Sequence, residues 1–168
     1  MNQPPDKLVS SAPEGTVWFG GSVDRSTMSL RIFGDSVDPL EITNLLGHEP
    51  TKGRKKGEKW IGEKSGREYE AKKGSWSISA PQSNGADIDF QVDWILCRLT
   101  KDLSIWKKIT EEYDVDIFSG LFLEAMNRGI SISPNTMKEI SSRGIELGFD
   151  IYSFEPEEAE PDGAGQRR

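Results

Sequence analysis

The carboxylates Asp87, Asp89 and Asp93 are the densest set of chemically capable residues beside an apolar period, and Asp89 and Asp93 stand one helical turn apart. Such a trio has the donor chemistry of a site for a hard cation such as Mg²⁺, which takes oxygen ligands. The same residues are what a helix N-terminus favours, where a carboxylate accepts from free N–H groups and faces the positive end of the helix dipole. With no histidine beside them and no second acidic cluster in register, capping is the expected role and no metal is expected. Asp114 and Asp116 followed by Gly120 begin like a calcium loop but lack the further ligands and the closing Glu.

His48 is the only histidine, without a Cys or His partner at ligand spacing, so it makes no zinc site. It follows Gly47, where a cation suits the C-terminal end of a helix dipole. Cys97, the only cysteine, sits between Leu96 and Leu99 in a helical period. It is expected to be a buried small hydrophobe, since no histidine lies near it in sequence to activate a thiol. A single cysteine forms no internal disulfide, which suits a reducing compartment. No catalytic set emerges and no cofactor is implied, so the chain reads as non-enzymatic.

One stretch is less ordinary. Between Thr51 and Trp76 there are nine basic residues against four acids, while the rest of the chain holds twelve basic and twenty-four acidic residues, for a net charge of −7 overall. Gly53, Gly57 and Gly62 do not have the spacing of a phosphate-binding P-loop. Arg54, Lys55, Lys56, Lys59 and Arg67 are interleaved with Trp60 and Trp76, and these seven are the candidate binding residues. Cations among aromatics suit single-stranded nucleic acid or an acidic protein surface. The plainer alternative is a solvated arm whose tryptophans pack on a sheet. An acidic whole argues against general nucleic-acid affinity without excluding a local basic site.

The elements that must position these residues follow from period and punctuation. Residues 1–15 hold three prolines and little to bury and are expected to be a disordered lead-in; residues 155–168 are an acidic tail of the same kind; a single domain spans 16–154. Thr16-Val17-Trp18-Phe19 is β-like. Met28-Ser29-Leu30-Arg31-Ile32 alternates with the period of a half-buried strand. Asp38-Pro39-Leu40-Glu41 starts a helix with a cap, a proline at the first position and an acid three residues on; Val37 and Ile42 form a hydrophobic staple, and Gly47 ends the helix. Residues 48–73 read as a long loop or hairpin arm in which Trp60-Ile61 and Tyr69 are strand residues. Ser75-Trp76-Ser77-Ile78-Ser79 alternates until Pro81. Val92, Ile95, Leu96, Leu99, Leu103 and Trp106 recur at helical spacing, as one kinked helix or as two with Thr100-Lys101-Asp102 capping the second. A strand over 115–123, a helix opened by Ser133-Pro134 and closed by Arg143-Gly144, and a strand over 147–154 complete the chain.

This order predicts an α+β fold with a mainly antiparallel sheet and helices packed on one face, a split β-α-β arrangement of the ferredoxin kind being the preferred topology. Mean hydropathy is −0.58 and the start of the chain has neither a basic nor an apolar leader-like run, so a cytoplasmic protein with no membrane partner is expected.

Leu30-Arg31-Ile32-Phe33-Gly34-Asp35, Asp38-Pro39-Leu40-Glu41-Ile42, Leu45-Leu46-Gly47-His48-Glu49-Pro50-Thr51, Lys56-Gly57-Glu58, Gly74-Ser75-Trp76-Ser77, Asp116-Ile117-Phe118-Ser119-Gly120, Ile132-Ser133-Pro134 and Leu147-Gly148-Phe149-Asp150-Ile151-Tyr152 occur in an order that resembles the DUF4279 family over residues 28–154. The resemblance implies a bacterial protein of unassigned function and supplies no catalytic residues. Size, acidity and family type suggest by analogy an immunity protein that neutralises a toxin made by the same cell. The expectation is thus a protein-binding protein with a basic partner such as a toxin domain. Nucleic-acid or nucleotide binding through residues 51–76 is the alternative.

Overall fold

The computed structural model describes residues 21–85, 87–123 and 128–153. The expected lead-in, the Thr16-Val17-Trp18-Phe19 run and the acidic tail lie outside the described residues. Among the described residues ten strands and four helices follow one another: β1 (Gly21–Ser22), β2 (Arg25–Gly34), α1 (Pro39–Leu46), β3 (Lys52–Arg54), β4 (Lys59–Ile61), β5 (Glu68–Glu70), β6 (Gly74–Ser79), β7 (Ser83–Asn84), α2 (Ile88–Leu96), α3 (Leu103–Glu112), β8 (Asp114–Leu123), β9 (Arg128–Gly129), α4 (Pro134–Ser142) and β10 (Glu146–Ser153).

The fold is α+β, as its pattern of elements predicts. The main sheet runs β10-β8-β2-β6-β3, with β7 added to the start of β2. All neighbours are antiparallel except β8 and β10, which are parallel and joined through α4. The ferredoxin-like split is not what forms. A split unit needs a strand between its two parallel members, whereas β10 lies directly against β8 along all eight residues of its length. Two short pairs stand apart, β1 with β9 and the hairpin β4–β5.

Each helix begins where a side chain satisfies its orphan N–H groups. Asp38 accepts from Leu40, Asp87 from Phe90, Asp102 from Ser104 and Ser133 from Thr136. The stretch from Ile88 therefore divides into two helices, because Asp102 caps a new one. α1 stops at Gly47, whose φ of 77° is the left-handed conformation that glycine adopts without strain. At Gly74 a Cβ would lie 2.5 Å from the Val37 carbonyl oxygen, so only glycine lets β6 pass that close to the turn before α1.

The alternating strands put Met28, Leu30 and Ile32 of β2, Trp76 and Ile78 of β6, and Ile117 and Leu121 of β8 into one core. Ile42 and Leu46 of α1, Ile95 and Val92 of α2, Trp106 and Ile109 of α3, and Ile140 of α4 close over them. All four helices thus pack on one face. Their apolar stripes supply the burial that short helices need to persist. A buried hydrogen bond of 2.9 Å from Ser26 Oγ to Gln91 Oε1 pins α2 to β2.

Candidate functional site

The residues out of phase with the core share the other face of the sheet, and among the described residues no helix covers it. β2 presents Arg25, Thr27, Ser29, Arg31 and Phe33 there, and strand register sets each beside a definite neighbour on β8. Arg25 lies opposite Phe122, and Phe122 opposite Tyr152 of β10. The Arg25 guanidinium carbon sits 3.5 Å from the centroid of Phe122, which stacks on Tyr152 with centroids 4.9 Å apart. The positive guanidinium is drawn to the negative ring face, and its plane matches the ring for stacking.

Three rows along, Arg31 faces Asp116 and binds it through two hydrogen bonds, Nε–Oδ1 at 2.8 Å and Nη2–Oδ2 at 2.6 Å. The bond to Asp116 raises the Arg31 pKa, against a smaller lowering by burial, so the charge is fixed at any working pH. The same guanidinium lies 4.2 Å from the Phe118 centroid. On β6 the face is a row of serines, and Ser79 is 2.8 Å from Ser29 across the pair. At the far edge Arg54 lies over Trp60 at 4.0 Å, and Trp60 stacks on Tyr69 with centroids 5.5 Å apart. Three arginine–aromatic stacks therefore run from one edge of the sheet to the hairpin at the other.

The basic arm is organised differently from what its composition suggests. Lys55 bonds Asp38 and Lys56 bonds Asp35, both at 2.6 Å; Lys59 reaches Glu68 at 3.6 Å and Lys73 reaches Asp114 at 3.3 Å. Arg54 Nε is 4.0 Å from Glu58, beyond hydrogen-bond range. Lys52, Lys64, Arg67 and Lys72 have no ion pair among the described residues. The Lys56 and Lys55 bonds hold Asp35 and Asp38 below the usual carboxylate range, with the Leu40 N–H adding to the effect at Asp38.

Of the seven residues singled out from sequence, Arg54 and Trp60 come together, Lys55 and Lys56 turn toward the start of α1, Lys59 is spent across the hairpin, and Arg67 stands exposed between β4 and β5. Trp76 is not on the arm surface at all: it is 0% exposed, and its indole N–H donates to Thr43 Oγ1 at 3.2 Å. It shares the core phase of β6 with Ile78. The open-face residues Arg25, Phe118, Phe122 and Tyr152 were missed from sequence. Their signal was present as large aromatic and cationic residues at the off-core positions of alternating strands.

The carboxylate trio is dispersed by its duties. Asp87 caps α2, Asp89 accepts from the Ser133 N–H at 3.0 Å and so ties α2 to α4, and Asp93 is exposed. Among the described residues no three His, Cys, Asp or Glu side chains are placed to share a metal. Cys97 is exposed rather than buried, because α2 ends at Leu96 and Cys97 is its cap, off the stripe formed by Val92, Ile95, Leu96 and Leu99. It lines an open groove of about 510 Å³ between α2 and α4. Arg143, 6% exposed, also lines the groove; its Nη1 is held by Glu139 at 2.7 Å, and its buried Nε has no acceptor.

No helix of the described residues is long and apolar enough to cross a membrane. A family model described as "Domain of unknown function (DUF4279)" matches residues 24–154. No curated protein and no solved structure matches the chain.

Proposed function

The chain belongs to the DUF4279 family, and from that premise we propose that it is a non-enzymatic protein-binding protein that docks its partner on the open face of the sheet. The observation that carries this reading is the set of arginine–aromatic stacks on a sheet face that no described helix covers. Arginine, tyrosine and tryptophan are the residues enriched among the anchors of protein interfaces, since they combine large apolar area with directed polar groups. Stacking also holds these arginines in place before a partner arrives, which lowers the entropy cost of binding.

The partner is a basic protein, and neutralisation of a toxin domain made in the same cell is the form of this function that size and charge suit. A net charge of −7 gives a field that steers a positive surface inward. The nucleic-acid alternative has less support from the charges. On the arm, Lys55, Lys56, Lys59 and Lys73 are matched by acids, and on the open face Arg31 is matched by Asp116. A phosphate backbone would have to displace those partners before releasing counterions of its own.

The experiment is a binding titration, over a range of salt, of the full chain against a basic protein encoded beside it and against single-stranded oligonucleotides. Arg25→Ala with Tyr152→Ala is expected to weaken protein binding about tenfold or more, equivalent to about 1.4 kcal/mol. Lys55→Glu with Lys56→Glu is expected to leave it intact, with association slowing as salt rises. Tight oligonucleotide binding by the unmodified chain, lost in the lysine double variant, overturns the reading in favour of a nucleic-acid binder.

A further inference from the structure

The last strand of the sheet has the features that natural edge strands usually avoid. An edge exposes a row of unpaired N–H and C=O groups, which proteins normally guard by shortness, lysine, proline or a bulge. β10 is eight residues long, contains no Lys, Arg or Pro, and follows β8 without a skipped residue from Glu146 beside Asp116 to Ser153 beside Leu123. Among the described residues nothing pairs with its outer side. Its helix-side residues Leu147, Phe149 and Ile151 form an apolar stripe whose exposure grows along the strand: Leu147 packs against the core, Phe149 is 37% exposed and Ile151 60%.

We infer that this edge is the interface for a second copy of the chain, with the two β10 strands antiparallel about a two-fold axis at Phe149. This goes beyond the proposed partner docking, because it uses the edge of the sheet and leaves the open face free. The occupant is identified by self-complementarity. In this register Phe149 faces Phe149 of the second copy and Leu147 faces Ile151, so the apolar stripe runs unbroken across the join. On the opposite face Gly148 meets Asp150 and Glu146 meets Tyr152. No acid faces an acid. The two neighbouring registers that keep both helix layers on one side fail this test. Centring on Asp150 sets Asp150 against itself, and centring on Gly148 sets Glu146 against Asp150. Like charges directly opposed destabilise a strand pair, and a burial stripe fixes its register. The five-strand path of each copy becomes one continuous sheet, and its open face is doubled in width.

The test is the mass of the full-length chain by light scattering over micromolar concentrations, where about twice 18.7 kDa is expected. Ile151→Lys places two unpaired charges in the stripe and is expected to give a monomer, with the dimer dissociation constant raised at least about 100-fold. Ile61→Lys, at the 70% exposed residue of β4, is the matched control and should leave the dimer unchanged. Register is read separately in a Cys97→Ser background. Phe149→Cys is expected to cross-link two copies on mild oxidation, because facing Cα atoms lie within the roughly 4.4–6.8 Å that a disulfide spans. Asp150→Cys is expected not to cross-link. A monomer at all concentrations, a dimer indifferent to Ile151→Lys, or cross-linking at position 150 in place of 149 each overturns the inference.

Discussion

The two edges of the sheet face the same backbone problem and meet it in opposite ways. At one end, β3 is three residues long, carries Lys52 and Arg54, the latter within 4.0 Å of Glu58, and is followed by a hairpin in which Glu68 pairs with Lys59. At the other, β10 is long, without cationic residues and apolar on one side. Short length and strong hydration make β3 a poor template for a further strand, whereas β10 offers both free backbone groups and area to bury. In this contrast the short, charged β3 and the paired cations beside it guard one edge against a further strand, and the proposed docking surfaces are the open face between the edges and β10.

Three measurements bear on this contrast. The largest effect is expected at Trp76, which anchors β6 beside the guarded edge. Trp76→Ala removes a fully buried indole and its hydrogen bond to Thr43, and should cost about 3–5 kcal/mol in a urea melt. An unchanged midpoint would return Trp76 to the arm surface and make that edge a binding site again.

A smaller effect is expected in the middle of the open face. Asp116→Ala strips Arg31 of both its hydrogen bonds in a half-buried setting and should cost about 1–2 kcal/mol. Arg31→Ala alone and the double variant complete a cycle that isolates the pair. A coupling indistinguishable from zero would show that the stacked arginines are not held in advance, and would weaken the case for this face as a docking surface.

The smallest effect is electrostatic and belongs to the guarded edge. Lys56 lowers the pKa of Asp35; Lys55 and the Leu40 N–H lower that of Asp38; the Ser104 hydroxyl and N–H lower that of Asp102 at the start of α3. A carboxylate whose folded pKa is depressed stabilises the fold above its unfolded pKa. That contribution fades as pH falls through the folded value. Melting temperature should therefore decline from about pH 5 downward. Asp38→Asn keeps an acceptor for the cap but has no proton to gain, so its decline should be shallower by a degree or two. The difference should shrink in high salt, since these pairs face solvent. Equal slopes for both proteins would detach Lys55 and Asp38 from the guarding of this edge.

Most of the local structure was legible because its causes are local. Asp38, Pro39 and Gly47 bound a helix through contacts within a few residues, and Ser133 with Pro134 does the same for α4. Alternation in Met28-Ser29-Leu30-Arg31-Ile32 marks a strand with one buried face before any partner is known. The same alternation assigned Trp76 to the phase of Ile78. The density of charge around it drew attention to the arm instead.

By itself, then, the sequence determined the α+β class, the family resemblance and the caps that open α1 and α4, since backbone propensity and side-chain periodicity act over short distances. The tertiary structure decided the rest. Arg31 meets Asp116 eighty-five positions away, and Arg25 meets Phe122 across the same pair of strands. No local signal sets strand order, so none could say that β10 would lie beside β8 with no described strand on its other side, or that Lys55 and Lys56 would be taken by Asp38 and Asp35. Even Cys97 was decided this way: its neighbours made it look buried, and a helix ending one residue earlier left it in solvent. Strand order and register arise when many distant apolar residues are buried together, and that balance belongs to the whole fold.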